Sequence, residues 1–252
     1  MPSTDLPRYV YKYQSPSAHN ISNLRENSLW CSHPSKFNDP FDCAEALLWN
    51  RPPEVKSSIY YQFIMNAGFD QMLAHAKDLV AAEASAEDKD RVSPTETFIA
   101  KSLAPFRGIV CFSEAKNHLL MWGHYAQSHS GFCLEFDTTF EPFKEKLRKV
   151  TYRTKMPVHE GSVRELGARS DLTSFLLVKA KEWKYEREWR LLYEVVDAIV
   201  KYPVAALTAV YLGAKVSEAT ESEIRASVKP TMTRVINMEL AADKYKLLEA
   251  RP

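Results

Sequence analysis

Short strand-like segments lie on both sides of one long stretch with helical spacing, and this arrangement restricts the fold most. Between residues 53 and 104, apolar residues such as Ile59, Phe63 and Ile64 follow the spacing of a helix face. Outside it, short apolar and β-branched runs are typical of strands. Because strands and helices do not alternate regularly, the sequence predicts an α+β fold. We expect one domain over residues 1–252, with a single mixed or antiparallel sheet and 53–104 as a helical insertion.

The same patterns predict individual elements. We expect strands at 8–13, 29–32, 108–112, 131–136, 149–152, 189–196, 205–212 and 233–238. We expect helices at 17–26, 171–183 and 217–228, the last two beginning at Asp171 and Ser217 as N-caps.

Composition excludes several classes of protein. The net charge of +1 gives no overall field that would attract nucleic acid or an anionic membrane. No apolar run reaches the roughly 18 residues of a membrane span. The 4 cysteines form no C-x-x-C pair, and most lie in apolar runs, which favours reduced thiols in a cytoplasmic protein. Phosphate-binding glycine motifs, the G-x-S-x-G elbow and H-E-x-x-H are absent from the sequence, so a Rossmann dehydrogenase, P-loop ATPase or zincin is not expected.

Five short segments, the islands, each combine aromatic and ionisable side chains. Such a combination can form a pocket for a flat polar ligand. The islands are residues 11–13, 37–42, 111–113, 121–126 (followed by His129 and Gly131) and 185–190.

The last island predicts a carboxylate pair. If residues 185–193 form a strand, Glu186, Glu188 and Arg190 share one face. Carboxylates about 7 Å apart on one face can stabilise a developing cation or orient a hydroxyl. An ion pair between Glu188 and Arg190 on a solvated face is the alternative interpretation.

The 121–126 island predicts an aromatic wall on a helix. His118, Trp122, Tyr125 and His129 recur at helical spacing along one stripe, which suits a base or a nicotinamide ring. The alternative is that Trp122 and Tyr125 are core aromatics with satisfied hydrogen bonds. No histidine pair has the i, i+4 spacing of a zinc site, so we expect no metal.

The 37–42 island predicts a turn with a functional alternative. Asp39 and Asp42 can bind a hard cation or a ribose, whereas turn capping by Asn38 and Asp39 explains the same residues without a ligand.

Two resemblances follow from these motifs. Their order, from Tyr-Lys-Tyr through Phe-Asn-Asp-Pro-Phe-Asp, Cys-Phe-Ser and Met-Trp-Gly-His-Tyr-Ala to Glu-x-Glu-Trp-Arg, resembles a large bacterial and phage family of domains of unknown function over residues 9–212. More distantly, the segment around residues 20–24, the 29–30 strand and the later Glu-x-Glu resemble ADP-ribosyltransferases, including DNA-modifying toxins.

The second resemblance implies a split sheet and roles for particular residues. Glu188 would bond a ribose hydroxyl of NAD and stabilise the oxocarbenium-like transition state, and Glu186 would orient the acceptor. Tyr125 or Trp122 would stack on nicotinamide, and Ser113 would stand in for the Ser-Thr-Ser element. Tyr11 and Lys12 occupy the position where that class has Arg or His.

We therefore expect an ADP-ribosyltransferase-like or NAD-cleaving enzyme, serving as a toxin or phage-defence effector, with NAD as substrate. The partners expected are a small nucleotide ligand and a protein or nucleic-acid acceptor, with no membrane. The alternatives are a non-catalytic sensing module and a metal-dependent nucleic-acid-processing enzyme. The candidate catalytic residues are Glu188, Glu186 and His124. The candidate binding residues are Tyr11, Lys12, Tyr13, Asn38, Asp39, Ser113, Trp122, Tyr125, His129 and Arg190.

Overall fold

The structure is a computed structural model that describes residues 6–39, 41–43, 108–155, 176–193 and 195–250. Its strands are β1 (Tyr9–Gln14), β2 (Ser28–Cys31), β3 (Gly108–Ser113), β4 (Phe132–Asp137), β5 (Arg148–Lys149), β6 (Thr151–Arg153), β7 (Val178–Ala180), β8 (Glu188–Tyr193), β9 (Ala198–Lys201), β10 (Leu207–Leu212), β11 (Arg234–Leu240) and β12 (Leu247–Glu249). Its α-helices are α1 (Ala18–Arg25), α2 (Leu119–Tyr125), α3 (Phe143–Lys146) and α4 (Glu218–Ser227). Short 3-10 helices span Pro34–Lys36, Lys181–Glu186 and Val204–Ala206. Within these ranges, no helix has both the length and the apolar character that a bilayer crossing requires.

A mixed sheet of 8 strands, in the order β12-β11-β10-β4-β1-β3-β8-β5, organises the described residues. Its neighbouring strands are antiparallel except β10 and β11, which run parallel and have α4 between them in the chain. The predicted α+β fold with one main sheet is confirmed. The strands that carry Tyr11, Cys111, Cys133 and Glu188 are all in this sheet, as the islands predicted.

The chain divides into two compact units. The first consists of Met1–Ser32, Gly108–Val150 and Trp183–Pro252, and the second of His33–Arg107 and Thr151–Glu182. The main sheet and the antiparallel pair β2–β9 belong to the first unit, and the parallel pair β6–β7 belongs to the second. The helical insertion predicted at 53–104 lies outside the described residues. The single domain over 1–252 stays a prediction.

Alternating residues along β1 show how the sheet acquires two different faces. Val10 is opposite Phe136 on β4, and both join an apolar core to which α1, α3 and α4 contribute. Tyr11 and Tyr13 point to the other face, where they pack with Trp122 of α2. Because side chains on a strand alternate between faces, a single strand supplies both layers. The second face also carries Ser113, Glu135 and Glu188.

Serine residues are the N-caps of α1 and α4. Ser17 Oγ accepts the backbone N–H of Asn20 at 3.2 Å, and Ser217 Oγ accepts that of Thr220 at 3.2 Å. A side-chain oxygen at the N-cap satisfies one of the free N–H groups of the first turn. The helices predicted at 17–26 and 217–228 are therefore confirmed, including the N-cap at Ser217.

The helix predicted at 171–183 is wrong in its described part. Residues 178–180 form β7, which pairs in parallel with β6, and a 3-10 helix follows. Pairing with another strand outweighs the local helical periodicity of this segment. Strands β9 and β12 were not predicted from the sequence either.

Gly131 marks the point where the chain passes from α2 towards β4. Its N–H donates to the Ala126 carbonyl at 2.9 Å. A Cβ atom at this position would lie 2.1 Å from the carbonyl oxygen of Gln14, closer than any real contact. The glycine is therefore required by the close approach of two backbone segments.

We predict that Gly131→Ala destabilises the protein and that Gly123→Ala does not. Overpacking against backbone costs about 1–3 kcal/mol of unfolding free energy. A Cβ at Gly123 meets nothing within 4 Å, and replacing a helical glycine by alanine contributes up to about 1 kcal/mol. Urea unfolding of both variants measures the difference. Equal stability of Gly131→Ala and the wild type would contradict the described packing.

Candidate functional site

A row of polar residues crosses three neighbouring strands. On β1, Tyr11 is opposite Ser113 of β3, and Ser113 is opposite Glu188 of β8. Residues directly opposite one another in a sheet share a face. The pairing therefore brings together three residues that are far apart in the sequence and that the motifs had singled out.

Glu188 and Arg190 form a buried ion pair on this face. Arg190 Nε donates to Glu188 Oε1 at 2.7 Å and its terminal nitrogen donates to Oε2 at 3.0 Å. Both residues are almost completely inaccessible, with 3% and 0% of their surface exposed. The predicted shared face is confirmed for these two residues, but the pair is buried rather than solvated as its alternative interpretation supposed. A bidentate pair in such surroundings fixes both side chains in one orientation.

Glu186 does not continue the strand, so the prediction that it shares the strand face is wrong. It ends the 3-10 helix, and Arg187 follows it with φ of 47°, in the left-handed region. That conformation breaks the alternation of side chains before β8 begins. Glu186 is nevertheless buried, and its Oε1 accepts the Tyr125 hydroxyl at 2.6 Å.

Ser113 connects this carboxylate region to the sheet. Its hydroxyl donates to the backbone carbonyl of Glu186 at 2.6 Å, and its oxygen accepts the N–H of Ala115 at 3.0 Å. The end of β3, the last turn of α2 and the start of β8 therefore meet around Glu186. Hydrogen bonds thus link Tyr125, Glu186 and Ser113, and Ser113 is opposite Glu188 in the sheet.

Trp122, Tyr11 and Tyr13 have internal partners. Trp122 is fully buried, and its Nε1 donates to the Lys116 carbonyl at 2.8 Å. Tyr13 meets the Trp122 ring edge-on at 5.3 Å and donates its hydroxyl to the Ala115 carbonyl at 2.5 Å. Lys12 is opposite Leu134, on the face of β1 away from both tyrosines, so the 11–13 island does not line a single surface. The ligand-binding role of these residues stays a prediction.

The predicted helical stripe ends early, because α2 stops at Tyr125. Gln127, Ser128 and His129 follow with φ of 46°, 53° and 72°, three consecutive left-handed residues. The His129 ring nevertheless lies nearly parallel to Trp122, with centroids 6.4 Å apart. His124 is exposed and its ring contacts that of Tyr125 edge-on.

Two partly buried histidines lack hydrogen-bond partners for one ring nitrogen. Nδ1 of His118 and Nδ1 of His129 are buried without a partner in the described part of the chain. His118 stacks on Tyr185, with ring centroids 5.3 Å apart. Burial lowers the pKa of both rings, and nearby Lys215 lowers that of His129 further. Protonation of either ring is therefore disfavoured in the folded protein.

Asn38 and Asp39 belong to the second unit. Asp39 is buried, and its Oδ1 accepts the N–H of Phe41 at 2.9 Å, the turn-capping contact of the alternative interpretation. In the same unit, Asp42 forms a buried ion pair with Lys179 at 3.4 Å. Across the residues the structure describes, no group of three or more His, Cys, Asp or Glu side chains is arranged to hold a metal ion.

Glu135 of β4 is a buried carboxylate that the motif analysis missed. Its Oε2 accepts the hydroxyls of Tyr11 at 3.1 Å and Tyr211 at 2.8 Å, and its Oε1 accepts that of Thr208 at 2.7 Å. It is opposite Tyr11, so it extends the polar row of Ser113 and Glu188. The signal available in the sequence was a single carboxylate inside the apolar run Phe-Cys-Leu-Glu-Phe.

We predict that acid lowers stability partly through His129. Because its folded pKa is lowered, the unfolded chain binds more protons as pH falls below about 6.5, and stability present above that pH is lost on the way down. His129→Gln should therefore lose less unfolding free energy than the wild type between pH 7.5 and 5.5. Gln127→Asn, an exposed change in the same left-handed turn, is the control and should behave like the wild type. If the unfolding free energies of His129→Gln and the wild type fall equally over this pH range, His129 does not contribute to the loss of stability in acid.

Comparison with known proteins relates part of the chain to a family. Neither curated proteins nor solved structures give a match. Residues 121–191 match the model of a family described as a protein of unknown function (DUF2971). That segment runs from α2 to β8 and includes Tyr125, Glu186, Glu188 and Arg190. The predicted resemblance to a family of unknown function is therefore confirmed over residues 121–191.

Proposed function

We propose that the protein cleaves the nicotinamide–ribose bond of NAD and transfers ADP-ribose to water or to an acceptor. The observation that carries the proposal is the convergence of Ser113, Tyr125, Glu186 and Glu188 at the junction of β3, α2 and β8. A serine, a tyrosine and two carboxylates provide groups that can bind ribose hydroxyls and oppose a positive charge.

Glu188 has the central chemical role in this proposal. Breaking a glycosidic bond develops positive charge on the sugar, and a fixed carboxylate lowers the energy of that state. An arginine partner favours the charged form of a carboxylate and holds it in place. The bidentate contact with Arg190 therefore supports a preorganised Glu188, although it also offsets part of the negative charge.

Tyr125 and Glu186 have the second role, which is to position the reacting groups. The Tyr125 side chain is partly exposed, and its hydroxyl bond to Glu186 orients the ring. We propose that the ring stacks on nicotinamide and that Glu186 orients the attacking hydroxyl. The exposed His124 beside Tyr125 is proposed as the group that takes up the proton. A setting in toxin or phage defence, with a protein or nucleic-acid acceptor, rests on the resemblance to ADP-ribosyltransferases.

A non-catalytic sensing module is the second candidate. The specific observation in its favour is that Arg190 contacts both oxygens of Glu188. A carboxylate neutralised in this way stabilises a developing cation less strongly. In that case the same residues bind a nucleotide and do not turn it over.

We predict that Glu188→Gln lowers nicotinamide release about a hundredfold to a thousandfold, because one preorganised electrostatic partner is removed. Glu186→Gln should reduce transfer to an acceptor more than hydrolysis. Glu223→Gln, on the exposed side of α4, is the control and should change neither. Nicotinamide release and melting temperature are measured on the same preparations, with and without NAD.

Each outcome decides between the candidates. Unchanged nicotinamide release by a folded Glu188→Gln variant would reject its catalytic role. A melting temperature raised by NAD without nicotinamide release, in the wild type, would favour the sensing module, since a ligand that binds the native state stabilises it. No effect of NAD on melting and no release would overturn both.

A further inference from the structure

Lys12 is a lysine on the apolar face of the central strand. It follows Val10 by two residues on β1 and is opposite Leu134 of β4, and both of these residues belong to the apolar core. Lysine ammonium groups in proteins almost always stay in water or pair with a carboxylate. The position of Lys12 in the sheet therefore calls for a physical explanation.

The contacts of Lys12 do not compensate its charge. Its Nζ donates to the Cys111 carbonyl at 3.3 Å and lies 5.8 Å from the centre of the Phe112 ring. An ammonium has three donors, and among the described residues this one has a single hydrogen-bond acceptor and no carboxylate within 4 Å. By contrast, the buried Lys179 has Asp42 at 3.4 Å.

The strand geometry explains why this contact exists. β1 and β3 are paired only at Tyr11 and Ser113, whereas β1 and β4 are paired at six positions, from Tyr9 to Gln14. The Lys12 side chain reaches the carbonyl of β3 just beyond the last paired position. The amine therefore lies beside β3 beyond the one position at which the two strands pair, and Lys12 as a whole is partly exposed.

Burial shifts Lys12 towards the uncharged amine relative to an exposed lysine. Burial lowers the pKa of the Lys12 ammonium, and the fields of Cys111 and Glu188 only partly offset that effect. An uncharged amine has a lone pair and is a nucleophile, as desolvated lysines are in enzymes that form imines.

We propose that Lys12 is a nucleophilic amine that condenses with the carbonyl group of a small aldehyde. Nζ attacks the carbonyl carbon, the C–N bond forms as the C=O π bond opens, and a proton passes from the nitrogen to the oxygen to give a neutral carbinolamine. The hydroxyl then takes one proton from solvent, the nitrogen lone pair expels it as water, and a protonated imine remains, so the step needs no oxidant or reductant. This assignment stands apart from the proposed cleavage of NAD, because Lys12 and Glu188 lie on opposite faces of the sheet.

Reductive trapping tests the assignment on the unmodified full chain. The protein is incubated at pH 7 with propionaldehyde and sodium cyanoborohydride, which converts an imine into a stable alkylated lysine, and peptides are quantified by mass spectrometry over time. Lys229, which is exposed, is the internal reference, and Lys179 is the buried, paired comparison. Because burial lowers its pKa, Lys12 has more free amine at neutral pH than an exposed lysine has. We expect Lys12 to be labelled several-fold faster than Lys229 and Lys179 to be labelled slowest.

Two controls make the result specific. In urea the preference for Lys12 should disappear, because it depends on the folded sheet. In the Lys12→Arg variant, rapid alkylation at position 12 should be absent, while Lys229 should be alkylated at the same rate as in the wild type. Labelling of Lys12 at the same rate as Lys229, or more slowly, overturns the proposal. Because nicotinamide is not measured, fast labelling of Lys12 stands even if the protein does not cleave NAD.

Discussion

The buried pair between Glu188 and Arg190 is the interaction on which the arrangement of the site depends. Each charge would be costly alone in this environment, and removing one partner of a buried pair typically costs about 3–5 kcal/mol because the other is left uncompensated. The pair holds the beginning of β8 in register with β3, where Arg190 is opposite Cys111 and Glu188 is opposite Ser113. Ser113 in turn holds the backbone of Glu186. The position of each polar group around the junction therefore follows from where these two charges are buried.

Backbone conformations of low intrinsic stability flank the same region. Arg187 precedes β8 in the left-handed region, and three consecutive left-handed residues end at His129 after α2. Each such residue costs about 1–2 kcal/mol when it is not glycine. The turn at 127–129 is held by close backbone contacts, among them the Lys215 N–H to the His129 carbonyl at 2.9 Å. Conformations of this kind persist where the surrounding structure maintains them, and they are frequent at functional sites.

Sequence patterns predicted the parts of the fold that depend on local chemistry. The helices α1 and α4, the serine cap of α4 and the apolar strands of the sheet were predicted because helical spacing, capping and alternation are encoded in neighbouring residues. Strand β7 was not predicted, since it depends on pairing with β6, which lies much earlier in the chain. Glu186 was placed on the strand face because nothing local indicates that Arg187 adopts a left-handed conformation. The role of Glu135 was not predicted because its hydrogen-bond partners lie on other strands.

A double-mutant cycle on Glu188 and Arg190 tests the central claim most directly. Unfolding free energies are measured in urea for the wild type, Glu188→Gln, Arg190→Met and the double variant. If the two charges are buried in contact, the double variant loses less than the sum of the single losses, with an interaction energy of about 1–3 kcal/mol. Losses that add within about 0.5 kcal/mol would contradict the account, because they would mean that the two side chains act independently.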